Sequence, residues 1–250
     1  MIDNQARPIA FVMADTEYGS LILNRLDSYQ GSGISALLFE QGAHDRYEIA
    51  RIKELLDSLL QTRGAGLTVV DCGANIGTHT IAMARHMYGW GRVLAFEPQE
   101  RIYYALAGNI ALANLFNASA IHAAVGKADG TIMIPVPNYL SPGTFGGLEL
   151  QPKGRPEYIG QPISYAPKDL RPVRLISIDD RGLPRVDYIK IDVEGMEMEV
   201  LEGADRTIRR DHPTMWIEWI KSDKEAMRAW LEERGYAVTE FGINFVAEAQ

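Results

Sequence analysis

The amino-acid sequence predicts an α/β domain on a mostly parallel, twisted sheet that finishes in an antiparallel hairpin. From residue 67 onward, short apolar segments alternate with amphipathic ones, the rhythm of strand–helix–strand units. One of those segments, at residues 69–80, runs directly into a glycine turn and a helix start. At the end of the chain, apolar-rich segments at 236–241 and 243–247 are separated by a turn at Gly242, which predicts a closing hairpin.

The elements follow in order. Residues 11–39 read as short strands broken by Gly19, Gly31 and Gly33, with 21–23 and 36–39 as the candidates. Between residues 44 and 60, Tyr47, Ile49, Ile52, Leu55, Leu56 and Leu59 recur at threes and fours, predicting a helix that ends at the glycines of 63–66. A wholly apolar strand of the buried parallel type follows at 67–70, then a helix at 78–88 and a strand at 92–96. Ile102, Leu106 and Ile110 mark a helix over 99–114, and 118–125 reads as a third strand. Residues 188–191 form another strand, followed by one helix carrying Met196, Val200, Ala204 and Ile208 on one side. A fifth strand covers 215–219, and Ser222 with Glu225 reads as a capping box for a helix that stops at Gly235. Residues 1–62 are expected to pack as N-terminal strands and a helix on a main domain of residues 63–250. The rhythm breaks at 135–172, where eight prolines and five glycines surround Tyr139, Phe145, Tyr158 and Tyr165. An irregular stretch of that length inside a domain points to function or disorder, and the aromatics argue for the former.

Composition excludes several classes. The formal net charge is −8, with 25 basic against 33 acidic residues, so the basic face that grips nucleic acid is missing. Arg206, Arg209 and Arg210 cluster late in a predicted helix, where they complement its C-terminus. No apolar run reaches the roughly 20 residues of a membrane helix. Cys72 is the sole cysteine, which rules out an internal disulfide, and a cytoplasmic setting is expected.

The chemistry concentrates in three places. In Asp71-Cys72-Gly73-Ala74-Asn75-Ile76-Gly77, an apolar strand enters a glycine turn whose following helix start offers free N–H groups. A dinucleotide fingerprint needs glycines where Gly73, Asn75 and Thr78 stand; only the first is present, which disfavours a nicotinamide cofactor. Asp71 suits the cationic amino-acid end of S-adenosylmethionine better. Glu97, in Phe96-Glu97-Pro98, ends the next strand where a carboxylate can take both hydroxyls of a ribose, and Pro98 restricts its backbone to an extended form. The third place is Asp192 and Glu194, at the end of a strand expected beside the first. One could accept a proton from an attacking hydroxyl, the pair could bind a hard divalent cation, or both could cap the next helix. The histidines show no metal-ligand spacing and no metal is assigned; His79, at a helix start, reads as a polar surface residue.

These motifs, with Leu175-Ile176-Ser177-Ile178-Asp179-Asp180, Lys190-Ile191-Asp192-Val193-Glu194-Gly195 and Leu201-Glu202-Gly203-Ala204, resemble the FkbM family of methyltransferases over residues 43–219. The resemblance implies a Rossmann-like class I methyltransferase fold and S-adenosylmethionine as donor. It also implies a small-molecule or glycan acceptor, usually a hydroxyl of a sugar, lipid-linked glycan or secondary metabolite. Carried over, Asp71, Gly73, Asn75, Gly77, Glu97 and Pro98 hold the cofactor, and Asp192 and Glu194 are catalytic on the acceptor side. The segment 135–172 is longer than the family's usual link there. Nitrogen or carbon methylation on the same scaffold, or a non-catalytic cofactor-binding partner subunit, remain alternatives at this point.

Overall fold

The computed structural model describes residues 8–152 and 154–250. Strands β1 (Phe11–Thr16) and β2 (Gly19–Asn24) form an N-terminal hairpin, followed by helices α1 (Ile34–Gln41) and α2 (Arg46–Arg63). The alternation then runs β3 (Leu67–Cys72), α3 (Thr78–His86), β4 (Gly91–Glu97), α4 (Glu100–Leu112), β5 (Ala118–His122). Three short strands come next, β6 (Ala124–Val125), β7 (Gly130–Ile134) and β8 (Arg171–Ile176). The chain closes with β9 (Tyr188–Ile191), α5 (Glu197–Glu202), α6 (Asp205–Asp211), β10 (Thr214–Glu218), α7 (Lys224–Glu232), β11 (Tyr236–Phe241) and β12 (Asn244–Ala249).

Seven strands make the central sheet in the order β11-β12-β10-β9-β3-β4-β5, and only β12 runs against its neighbours. The mostly parallel sheet and its closing hairpin therefore stand as expected. Every residue of β3 is buried, because alternate side chains enter two different cores. Val69 joins Leu56, Ile81 and Leu106 on one face, while Val70 and Cys72 join Val200, Ile208 and Met227 on the other. The chain leaves β3 for β4 on one side and returns to β9 on the other. A crevice thus opens above the carboxyl ends of β3 and β9, where open α/β sheets bind ligands.

Buried Asn109 docks the N-terminal hairpin. Its amide oxygen accepts from Ile22 N at 2.6 Å, and its amide nitrogen donates to Ile76 O at 2.8 Å, tying β2 to α4 and to the loop after β3. Among the described residues, no helix is long and apolar enough to cross a membrane.

Local expectations are corrected at five places. Residues 36–39 lie in α1, whose tertiary packing through buried Leu38 outweighs the strand signal of the flanking glycines. The strand expected over 118–125 splits at Ala123: β5 stays in the large sheet while β6 pairs with β8 in a second, three-stranded sheet of order β6-β8-β7. The single helix expected through Met196 and Ile208 is two, because the chain breaks at Gly203, where a Cβ would sit 2.0 Å from Gly126 O. Asp223, not Ser222, caps α7 by accepting from Ala226 N. Finally, His79 is buried rather than superficial.

Ile134 and Arg171 are register partners at the mouth of the proline-rich segment. Between them, among the described residues, the chain carries only two short 3₁₀ turns, Phe145–Gly147 and Pro167–Asp169, yet it buries Phe145, Leu148, Leu150 and Ile159. Packing, not regular hydrogen bonding, orders it.

Candidate active site

The carboxyl ends of β3, β4, β9 and β10 open on one cavity of about 380 Å³, a size that suits a small-molecule site. Gly73 forms its floor with φ 79°. A Cβ there would sit 1.7 Å from Asp192 O, so only glycine lets the loop cross the end of β9. Gly73 N and Ala74 N both donate to Phe96 O, at 3.1 and 2.9 Å, which fastens the loop to β4. Asn75, with φ 51°, lines the cavity and donates its main-chain N–H to Glu97 Oε2 at 3.0 Å.

Asp71 and Gly77 lie beneath this lining. Asp71 is fully buried; its Oδ2 accepts from Thr80 Oγ1 at 2.6 Å, while Oδ1 has no hydrogen-bond partner among the described residues and faces Lys190 Nζ at 3.9 Å. Gly77 starts α3 at φ 94°, and a Cβ there would press within 2.6 Å of Leu106 Cδ1, so its smallness serves packing on α4.

Glu97 is buried at the end of β4 and lines the cavity. Burial pushes its carboxyl up to about 7, against the opposing effect of hydrogen bonds from Gln99 N at 2.8 Å and Asn75 N. Each oxygen takes one N–H and keeps acceptor capacity for a ligand. Pro98 lines the same wall, its carbonyl held by His122 Nε2 at 3.0 Å.

Across the cavity, Asp192 pairs with buried Lys190 at 3.0 Å, and Glu194, at φ 57°, pairs with Lys221 at 2.6 Å. Glu218 at the end of β10 joins them, with carboxylate oxygens of the three within 4.8 Å of one another. Burial first, then the charge of Asp192, pushes Glu194 up to about 8; burial with Asp192 and Glu194 pushes Glu218 up to about 9. The ammonium groups of Lys190 and Lys221 compete with a divalent cation for two of these carboxylates. Neither Asp192 nor Glu194 caps α5, since the turn is tied by Glu197, which accepts from Val193 N at 3.2 Å and Gly195 N at 3.0 Å.

Comparison with known proteins decides the family. The profile of the methyltransferase FkbM domain matches residues 71–238, more than half of the chain. The chain belongs to the FkbM methyltransferase family. Methyltransferase sdnD of Sordaria araneosa is 29% identical to it over 196 residues, spanning 68% of this chain and 74% of that protein. Methyltransferase 1 of Beauveria bassiana is 27% identical over 183 residues, spanning 68% and 72%. Among solved structures, a methyltransferase FkbM from Methylobacillus flagellatus superposes with a TM-score of 0.50 at 19% identity, covering 73% of this chain but only 43% of that one. A Geobacter sulfurreducens methyltransferase gives 0.50 at 12% identity, covering 87% of each. At these identities the structures speak to the fold alone, a class I methyltransferase sheet.

S-adenosylmethionine is the cofactor of this FkbM methyltransferase, and the residues present fit it. The cavity offers a buried carboxylate with unused acceptor capacity at Glu97. A side chain at Gly73 would fill the loop's close approach to β9, and Asp71 Oδ1, without a hydrogen-bond partner among the described residues, leaves an unmet acceptor beneath that loop.

Several lining groups of this methyltransferase carry no sequence signature. Residues of α1 and its preceding turn, with Thr144, Gly146, Leu148 and Leu150 of the proline-rich segment, roof the cavity. The roof is fastened at both ends. On the Glu97 side, Gln99 Nε2 donates to Phe145 O at 2.8 Å, Tyr139 Oη donates to Gln99 Oε1 at 3.0 Å, and buried Asp27 accepts from Phe145 N at 3.0 Å. On the Glu194 side, Lys221 Nζ donates to Gly147 O at 3.0 Å and pairs with Glu157 at 2.9 Å. Lys221 and Glu157 are distant in sequence, and only the fold brings them together.

Proposed function

We propose that this FkbM methyltransferase O-methylates a hydroxyl group of a sugar, glycan or secondary metabolite. The observation that supports it is the meeting, in one roofed cavity, of the Gly73–Glu97 side with the Asp192, Glu194 and Glu218 side. S-adenosylmethionine, when bound, supplies an electrophilic methyl group on a sulfonium sulfur.

In this reading Glu97 takes the ribose hydroxyls, Gly73 and Asn75 let the main chain approach the donor, and Pro98 holds Glu97 extended. Asp71 and Gly77 act from below, by setting Lys190, Thr80 and the start of α3. Asp192, paired with Lys190, accepts a hydrogen bond from the acceptor hydroxyl and aligns its oxygen. Glu194, held by Lys221, secures the acceptor side to the roof. Leu148 and Leu150 present an apolar wall that excludes water from the transfer. Catalysis is then chiefly positioning. The test is a screen of hydroxylated small molecules and glycans with methyl-labelled S-adenosylmethionine, the labelled product being solved by mass spectrometry. A methyl group on oxygen is expected; label confined to nitrogen or carbon, or cofactor binding with no transfer to any extract, would set the reading aside.

A further inference from the structure

His44 stands in the turn between α1 and α2, and it lines the same cavity as Asp192 and Glu218. Its Nδ1 lies 2.8 Å from Asp45 Oδ2, and its carbonyl accepts the hydroxyl of Tyr18. Asp45 is itself fixed: its backbone is left-handed at φ 53°, and the same Oδ2 meets Nε2 of buried His79 at 3.2 Å. Burial opposes a charge on Asp45, but the hydrogen bonds and charges of His44 and His79 outweigh it and hold the carboxyl well below its usual range. An ionised acceptor beside Nδ1 keeps the proton on that nitrogen and leaves the lone pair on Nε2. No described residue hydrogen-bonds that Nε2.

The cavity carboxylates are poorer proton acceptors. Asp192 and Glu194 each hold a lysine, and burial with the charge of Asp192 pushes Glu194 and Glu218 up. An imidazole oriented by a carboxylate, on a residue that lines the cavity, has the base–orienter arrangement of general-base catalysis.

We propose that His44, oriented by Asp45, is the general base of the reaction, taking the acceptor's proton on Nε2. The proposal rests on the hydroxyl reading above. As the acceptor oxygen bonds to the methyl carbon, the carbon–sulfur bond breaks with its electron pair left on sulfur, and the oxygen's proton passes to Nε2. The imidazolium so formed faces Asp45, whose carboxylate at Nδ1 stabilises it.

Two measurements test this on the whole chain. Long-range ¹H–¹⁵N spectra of histidine-labelled protein are expected to show neutral His44 protonated on Nδ1, a preference that weakens in Asp45→Asn. A proton on Nε2 overturns the proposal whatever the activity. His44→Gln is expected to bind S-adenosylhomocysteine within about threefold of wild type. Its single-turnover methyl transfer to the acceptor labelled in the screen above should slow by roughly 10²–10⁴-fold. A rise of the wild-type rate with pH should vanish in it. A His44→Gln rate within a few fold of wild type on a hydroxyl acceptor overturns this proposal alone. Parallel loss of S-adenosylhomocysteine binding also overturns it, making His44 a cofactor ligand. Wild-type label found only on nitrogen or carbon overturns the hydroxyl reading and this proposal with it.

Discussion

Removing the Glu97 carboxylate should separate cofactor grip from loop architecture. In the ligand-free protein its two oxygens hold Asn75 N and Gln99 N, so Glu97→Ala orphans two N–H groups at about 1–3 kcal/mol each in stability. If the same carboxylate also takes the ribose hydroxyls, the variant loses charge-assisted hydrogen bonds worth about 1.5–3 kcal/mol of binding. That corresponds to roughly 10- to 150-fold in Kd for S-adenosylhomocysteine. The carboxyl is raised to about 7, and hydroxyl donors bond more strongly to its ionised form. Affinity should therefore climb as pH rises toward 7 and level off above it, and Glu97→Gln should abolish the climb. Stability has the opposite sign. A carboxyl raised on folding helps the fold most below its unfolded value of 4.5, and that help is lost as pH rises through about 7. Isothermal calorimetry from pH 5.5 to 8.5, with thermal melts of the same samples, measures both. A Glu97→Ala protein that melts lower but binds with unchanged affinity would make Glu97 a loop tie and refute its ribose role.

Other expectations follow from the same geometry. Asp192→Asn and Glu194→Gln should bind S-adenosylmethionine nearly normally but transfer methyl slowly, about 10²-fold for Asp192 as alignment is lost; full turnover in both would make them structural. Replacing residues 136–170 by a short Gly/Ser linker should lower the melting temperature and acceptor turnover while S-adenosylhomocysteine still binds, and unchanged acceptor KM would remove the roof from acceptor binding. Asn109→Ala should cost about 2–4 kcal/mol in urea unfolding, since it orphans buried groups of Ile22 and Ile76; a loss below about 0.5 kcal/mol would show that water replaces the amide.

What was legible in the sequence was whatever the local pattern determines. The buried run of β3, the glycine turn after it and the closing hairpin each follow from periodicity and backbone freedom, and they set the sheet and the floor of the cavity. The failures were tertiary. Residues 36–39 look extended until α1 is seen to bury Leu38, and Gly203 reads as one small residue on a helix face until Gly126 O is found against it. His79 was misread because no local feature announces that Asp45, 34 positions earlier, reaches it. The roof was visible as a proline-rich anomaly, but Gln99, Lys221 and Asp27 had no motif to betray them. Their partners are fixed by topology, not by spacing.

The pairing of Ile134 with Arg171 has a consequence for how much chain can stand between β7 and β8. Directly opposed residues of an antiparallel pair lie about 5 Å apart, so the chain departs and returns at nearly the same point. What lies between is a cassette whose ends are already joined by β7 and β8. Doubling its length adds only about 0.6 kcal/mol of closure entropy, a small fraction of a domain's stability. Chain closure therefore sets little limit on the length carried there; the constraint lies in the contacts that fasten it, such as Phe145 O on Gln99.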